Sequence, residues 1–239
     1  MMDDSVIAQI RQELKESADP ATQKTFQRFF KEGVNSYGVK VPTVTKIARK
    51  YWKEIKSRGK QQIFRVCEEL FKSGICEEAF VVSNWIPQLR DRFEPADLAV
   101  FRRWIDTYIT NWASCDGFCN HSLGDFIIKY PDMVDELRRW AQSENRWMRR
   151  AAAVSLIVPA KHGEFLEESL GIADLLLTDR DDMVQKGYGW LLKEASRHHQ
   201  AEVFTYVMRK REGMPRTALR YAIELMPNER RNEAMKKEL

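Results

Sequence analysis

The chain has 239 residues, 44% of them hydrophobic and seven of them tryptophan, with a formal net charge of +4. That length supports one large domain or two small ones with a sizeable core. Its longest apolar stretches, such as Ala79–Val82 and Ala151–Val154, exclude a membrane span of about 20 residues, and the acidic start Met1-Met2-Asp3-Asp4-Ser5 excludes a signal peptide, so a cytoplasmic protein is expected.

Helical periodicity begins at once, with Val6, Ile10 and Leu14 on one stripe. Gly38 to Pro42 reads as a turn ending in a proline suited to the start of a helix, and Ser57-Arg58-Gly59 as a polar break. Ile63, Cys67, Leu70 and Phe71 form a second stripe. Pro87, Pro95, Pro131 and Pro159 mark further boundaries or kinks, as does the turn Gly213–Pro215. Strand alternation and Asn-Gly or Asp-Gly hairpin turns are missing. The spacing predicts an all-α chain of about twelve to fourteen helices, mostly of roughly 10–18 residues. Cys67, Cys76, Cys115 and Cys119 lack the spacing of a metal site, even with His121 near Cys115 and Cys119, and read as buried small hydrophobes. No metal and no cofactor is expected.

An internal repeat organises the chain. Trp147-Met-Arg-Arg-Ala-Ala-Ala-Val-Ser-Leu resembles Met183-Val-Gln-Lys-Gly-Tyr-Gly-Trp-Leu-Leu at an offset of 36 residues, placing Arg150 on Lys186. A step of 35 back from Arg150 reaches Cys115, beside Asp116, and another 36 reaches Ala79. A period of this size built from helix pairs predicts a HEAT-like α-solenoid, one domain over residues 1–239 with about six repeats and a concave face.

The same spacing selects candidate site residues. Trp112 and Asp116 are four apart and share a helix face; Trp147 and Arg150 are three apart; Trp190 follows Lys186 by four. Aromatics beside cations suit nucleic acid, with cations on phosphates and rings on sugars or bases. Arg146, Arg149 and Arg150 cluster around Trp147, and Arg209, Lys210, Arg211, Arg216 and Arg220 follow later. Trp52, Trp85, Trp104 and Trp140 read as core. The three tryptophans at repeat-equivalent positions are set apart because a core would have to bury Asp116 and Arg150 with them. Phosphate-cradling GxxxxGK[ST], dinucleotide, HExxH and GxSxG signatures are missing.

At these residues the sequence resembles the AlkD-type DNA alkylation repair glycosylases, from about Phe26 to Tyr221. The matching segments are Tyr37-Gly38-Val39-Lys40-Val41-Pro42 with Lys46 and Arg49 beyond it, Asn111-Trp112-Ala113-Ser114-Cys115-Asp116, Leu123-Gly124-Asp125, Lys129-Tyr130-Pro131, Trp147-Met148-Arg149-Arg150-Ala151-Ala152 and Gln185-Lys186-Gly187-Tyr188-Gly189-Trp190. The resemblance implies a monofunctional glycosylase that removes cationic N3- or N7-alkylated purines from duplex DNA. It implies that Asp116 and Trp112 act at the lesion's deoxyribose, with Arg150 and Trp190 completing the site. Arg146, Arg149, Trp147, Gln185, Lys186, Lys46, Arg49 and Phe29 are the expected DNA contacts. Two positions depart from the family pattern: Ala113, often acidic in relatives, and Phe29, often tyrosine, where a phosphate-directed hydroxyl would be missing. The expected protein is a monomer that is cytoplasmic and associates with the nucleoid when bound to DNA. Two other readings predict different behaviour: a non-excising module for distorted or branched DNA, and a protein-interaction solenoid whose DNA binding is weak.

Overall fold

The computed structural model describes residues 2–31 and 33–236, the first three of these by backbone alone. The chain divides into two units, Met1–Phe118 and Cys119–Leu239. Both are helical, and no strand occurs among the described residues.

In the first unit α1 (Met2–Glu16) turns its Val6, Ile10 and Leu14 stripe inward, all three buried. α2 (Pro20–Phe29) starts where Asp19 accepts hydrogen bonds from the Ala21 and Thr22 N–H groups, with Pro20 in the first turn. α3 (Val41–Ile55) begins at Val41-Pro42, as the turn signal predicted. α4 (Lys60–Lys72) follows the Gly59 break and buries Ile63, Cys67, Leu70 and Phe71. α5 (Cys76–Trp85), a 3₁₀ segment at Ile86–Arg92 containing Pro87, α6 (Asp97–Tyr108) and α7 (Trp112–Phe118) complete the unit. α3 packs on α5 and α5 on α7, while α4 and α6 pair behind them. Trp104 centres the core, with ring centroids 5.3 Å from Phe64, 5.6 Å from Phe71 and 6.0 Å from Phe118. The rings meet tilted or edge-on, the geometry their quadrupoles favour.

A buried carboxylate sets the start of α3. Glu77 of α5 is fully buried and accepts backbone N–H bonds from Tyr37 (3.1 Å), Gly38 (2.8 Å) and Val39 (2.9 Å). Gly38 has φ +86°, and a Cβ there would lie 2.7 Å from that of Gln23, so the turn requires glycine. Beside it Glu78, also fully buried, accepts from Arg11 and from the Tyr37 hydroxyl at 2.7 Å.

The second unit opens with a π-helical turn, Cys119–Leu123, then α8 (Gly124–Lys129), a 3₁₀ turn at Pro131–Met133 and α9 (Val134–Trp140). α10 (Arg146–Val154), α11 (Ile157–Lys161), α12 (Leu166–Leu175), α13 (Asp182–Ala195), α14 (Gln200–Lys210), α15 (Arg216–Ala222) and α16 (Asn228–Met235) follow. Several helices are shorter than the sequence spacing predicts: Pro131 follows the end of α8, and Gly163 at φ +87° follows α11 after little more than one turn. α13 lies between α10 and α15. A Cβ on Gly187 would sit 3.3 Å from Arg150 Cγ, and one on Gly189 would sit 2.8 Å from both Ala218 O and Tyr221 Cβ. The two glycines thus let neighbouring helices close on α13 from either side.

The repeat is visible in the helix starts. α3, α5, α7, α10, α13 and α15 begin at residues 41, 76, 112, 146, 182 and 216, intervals of 34 to 36 residues. This is an α-helical repeat fold. Asp116, Arg150 and Lys186 are each the fifth residue of their helix, so the register expected from the sequence holds.

Candidate active site

In the first unit, α7 presents Trp112 and Asp116. Asn111, buried, caps this helix: its side-chain oxygen accepts the Ser114 N–H at 2.9 Å. That cap fixes where the first turn begins, and hence the direction of Trp112. The indole is half-buried and stacks on Phe30, centroids 5.2 Å apart and planes 17° from parallel. Asp116 is half-buried one turn later. A Cβ on the neighbouring Gly117 would be 3.3 Å from Ser83 Oγ on α5, so α7 lies close against that helix. A planar aromatic and a carboxylate therefore share one short, well-anchored helix. Phe29, next to Phe30, is 68% exposed. Lys46 and Arg49 are exposed on α3. Hydrogen bonding from Lys50, with a smaller contribution from the Lys46 charge, lowers the Glu13 carboxyl below its usual range.

In the second unit, the basic candidates converge on the segment that opens α13. Arg146 meets Asp181 through Nη2–Oδ1 at 3.0 Å and Nε–Oδ2 at 2.8 Å, with its guanidinium 4.8 Å from the Trp147 ring centroid. Arg149 Nε meets Asp179 at 2.6 Å, and its Nη1 donates to the Ser143 and Glu144 carbonyls. Lys186 pairs with Asp182 at 2.6 Å, one turn back. Gln185 donates to the Asp179 carbonyl at 2.8 Å. Asp181 also caps α13, accepting from Met183 N (2.8 Å) and Val184 N (3.3 Å). The set is a charge-balanced array held in place by three aspartates that the repeat spacing does not single out. An aspartate run before an amphipathic helix is the signal that could have found them.

Two positions differ from the expectation of an open concave face. Arg150, expected on that face, is buried, 5% exposed. Gly187 leaves room for its aliphatic stem, and the Met183 carbonyl accepts from its Nη1. Trp147, expected beside it on an open face, is 7% exposed and packed beneath Arg146. Trp190 is half-buried, and its Nε1 donates to the buried carboxylate of Glu194 at 3.3 Å. Of the tryptophans assigned to the core, Trp85, Trp104 and Trp140 are buried and Trp52 is half-buried against Trp85.

All four cysteines are buried free thiols, and burial pushes the Cys76 thiol up to about 12. Among the described residues, no three His, Cys, Asp or Glu side chains come together as metal ligands, and no helix is long and apolar enough to cross a membrane.

The sequence model of the family described as DNA alkylation repair enzyme matches residues 10–226. The chain belongs to this family. Its segments around Trp112, Asp116, Arg150 and Trp190 all fall inside the matched span. A similar solved structure is a protein from Enterococcus faecalis described as a predicted DNA alkylation repair enzyme. The two share 17% identity over 89% of this chain and 98% of that one, with a TM-score of 0.79, which is a likeness of fold. No curated protein sequence matches this DNA alkylation repair family member.

Proposed function

We propose that this family member is a monofunctional DNA glycosylase that hydrolyses the N-glycosidic bond of cationic N3- or N7-alkylated purines in duplex DNA. The observation that carries the reading is the pairing on α7 of half-buried Trp112 with half-buried Asp116, in a chain of the DNA alkylation repair family. Breaking the C1′–N bond sends its electron pair to the alkylated base, which leaves neutral, and develops oxocarbenium character on the sugar. A carboxylate beside C1′ stabilises that charge and orients the water whose oxygen forms the new C1′–O bond, with the water's proton passing to solvent. The electron-rich face of Trp112 shields the sugar, and its stack on Phe30 keeps the ring from swinging away. Because the base already carries positive charge, no general acid is required to protonate it.

In this reading Trp190 acts on the same substrate, and buried Arg150 supports the start of α13 through the Met183 carbonyl. Arg146, Arg149, Gln185, Lys186, Lys46, Arg49 and Phe29 serve DNA binding, with Trp147 supporting Arg146 from beneath, and the protein works as a cytoplasmic monomer without a cofactor. The test is release of 7-methylguanine and 3-methyladenine from methylated duplex DNA. Asp116→Asn is expected to lower release by about 10²–10³-fold, the usual effect of removing one preorganised electrostatic group, while still binding DNA. Undiminished release by Asp116→Asn refutes the assigned role. Binding of branched DNA with no release from any alkylated substrate would instead favour a non-excising module.

A further inference from the structure

A second charged feature of the second unit adjoins the array described above. A cavity of about 680 Å³ opens where the end of α14 and the start of α15 meet the loop before α13. Four cations from separate segments line it: Arg180, Arg211, Arg216 and Lys236. Two carboxylates also line it, Asp179 and Glu212. Asp179 is already engaged, by Arg149 at 2.6 Å and by the Asp181 N–H at 2.8 Å, which leaves the four cations in excess over Glu212. Met214 and Ala234, both buried, contribute apolar walls.

Helix capping accounts for part of this arrangement and not the rest. Arg211 donates to the Glu233 carbonyl at 3.1 Å and Arg216 to the Met235 carbonyl at 3.3 Å, at the end of α16. The Arg216 contact uses one of its guanidinium's five N–H donors, and it fixes where the planar fork points. Arg180 is exposed and belongs to the loop before α13, away from that helix end. Like charges drawn to one concavity repel unless an anion sits between them. Arginine forks suit the oxygens of a phosphate better than any other common anion apart from a carboxylate. Gln185 lines the same cavity and sits on the first turns of α13 beside Lys186, so the cavity continues directly from the Arg146–Arg149–Lys186 array.

We propose that this cavity is a phosphate subsite for the DNA backbone flanking the lesion, with Arg180 and Arg216 as its contacting groups and Arg211 and Lys236 supplying field. The proposal rests on the DNA-binding part of the function above and is independent of excision. Its ligand chemistry is a phosphate group, carried either on duplex DNA or as a free anion.

The full chain is titrated with undamaged duplex DNA across salt, and separately with inorganic phosphate, for wild type, Arg180→Ala, Arg216→Ala, the double variant and Arg180→Lys. Each lost phosphate contact lowers the slope of log affinity against log salt by about 0.9. Between 50 and 200 mM salt each single alanine variant should therefore lose about 3.5-fold less affinity than wild type, and the double variant about 12-fold less. Arg180→Lys should restore the slope. Arg180 is exposed, so its variant decides the matter even if Arg216→Ala weakens the end of α16. A wild-type slope in Arg180→Ala overturns the proposal, whether or not inorganic phosphate binds the cavity. Altered slopes in a protein that releases no base leave the subsite standing and refute the excision reading.

Discussion

Asp181 performs two tasks that a substitution can separate. It caps α13 through Met183 N and Val184 N and also neutralises Arg146. Asp181→Asn keeps an oxygen able to cap and removes the charge; Asp181→Ala removes both. The ion pair is partly exposed, 30% for Arg146 and 19% for Asp181, so screening limits its value to about 0.5 kcal/mol. The cap is worth about 1 kcal/mol more. Asp181→Asn should lower stability by about 0.5 kcal/mol and Asp181→Ala by about 1.5 kcal/mol. In a chain of this length these are losses of about 1–2 °C and 3–6 °C in Tm. DNA binding should move the opposite way, and equally in both variants. With its carboxylate partner gone, Arg146 is released to a phosphate, and the salt slope rises by about 0.9. Affinity should then fall about 3.5-fold more than in wild type between 50 and 200 mM salt, starting from tighter binding at the lower value. Thermal melts and anisotropy titrations read the two effects separately. Weaker DNA binding in both variants, with an unchanged slope, would refute the view that Asp181 competes with phosphate for Arg146 and would mean that it positions the arginine instead.

Other substitutions probe the scaffold. Glu77→Ala strands the buried Gly38 and Val39 N–H bonds and the part-buried Tyr37 N–H bond and should cost about 3–5 kcal/mol, with fast amide exchange at those residues; Glu77→Gln, which retains one acceptor oxygen, should cost clearly less. Gly189→Ala places a methyl 2.8 Å from Ala218 O and Tyr221 Cβ, so α13 and α15 must part at about 1–3 kcal/mol, read as a lower denaturation midpoint. The raised Cys76 thiol, at about 12, stays neutral in the folded chain through neutral pH. Native protein should resist alkylation at Cys76 up to pH 9 and react once unfolded. The matching linkage is a stability that is constant below the unfolded thiol value of about 8.5 and declines as pH rises from there towards 12.

Local signals in the sequence locate much of the fold. The stripes of α1 and α4 follow from periodicity, the starts of α3 and α4 from Pro42 and Gly59, and the common phase of Asp116, Arg150 and Lys186 from the repeat interval. What escapes is whatever depends on a partner elsewhere in the chain. Glu77 lies 38 to 40 residues from the N–H groups it binds, and nothing around it marks a glutamate destined for burial. Arg150 disappears into the protein because Gly187, on another helix, leaves the space for it. Charge clusters are legible as clusters, but their pairing with Asp179, Asp181 and Asp182 is a property of packing. Trp112 and Asp116 were legible because a single helical turn relates them.

The shared phase of α3, α5, α7, α10, α13 and α15, at intervals of 34 to 36 residues, also determines where the chain can change length. A residue inserted within α10 before Arg150 would turn everything after it by about 100° around the helix axis, sending the guanidinium away from Gly187 and Met183. The same residue inserted at Gly163 or Gly213, in the segments between helices, would leave each helix in phase. Length variation among relatives should therefore collect in those connectors, and alignment gaps falling inside α7, α10 or α13 would mark proteins that have abandoned this site.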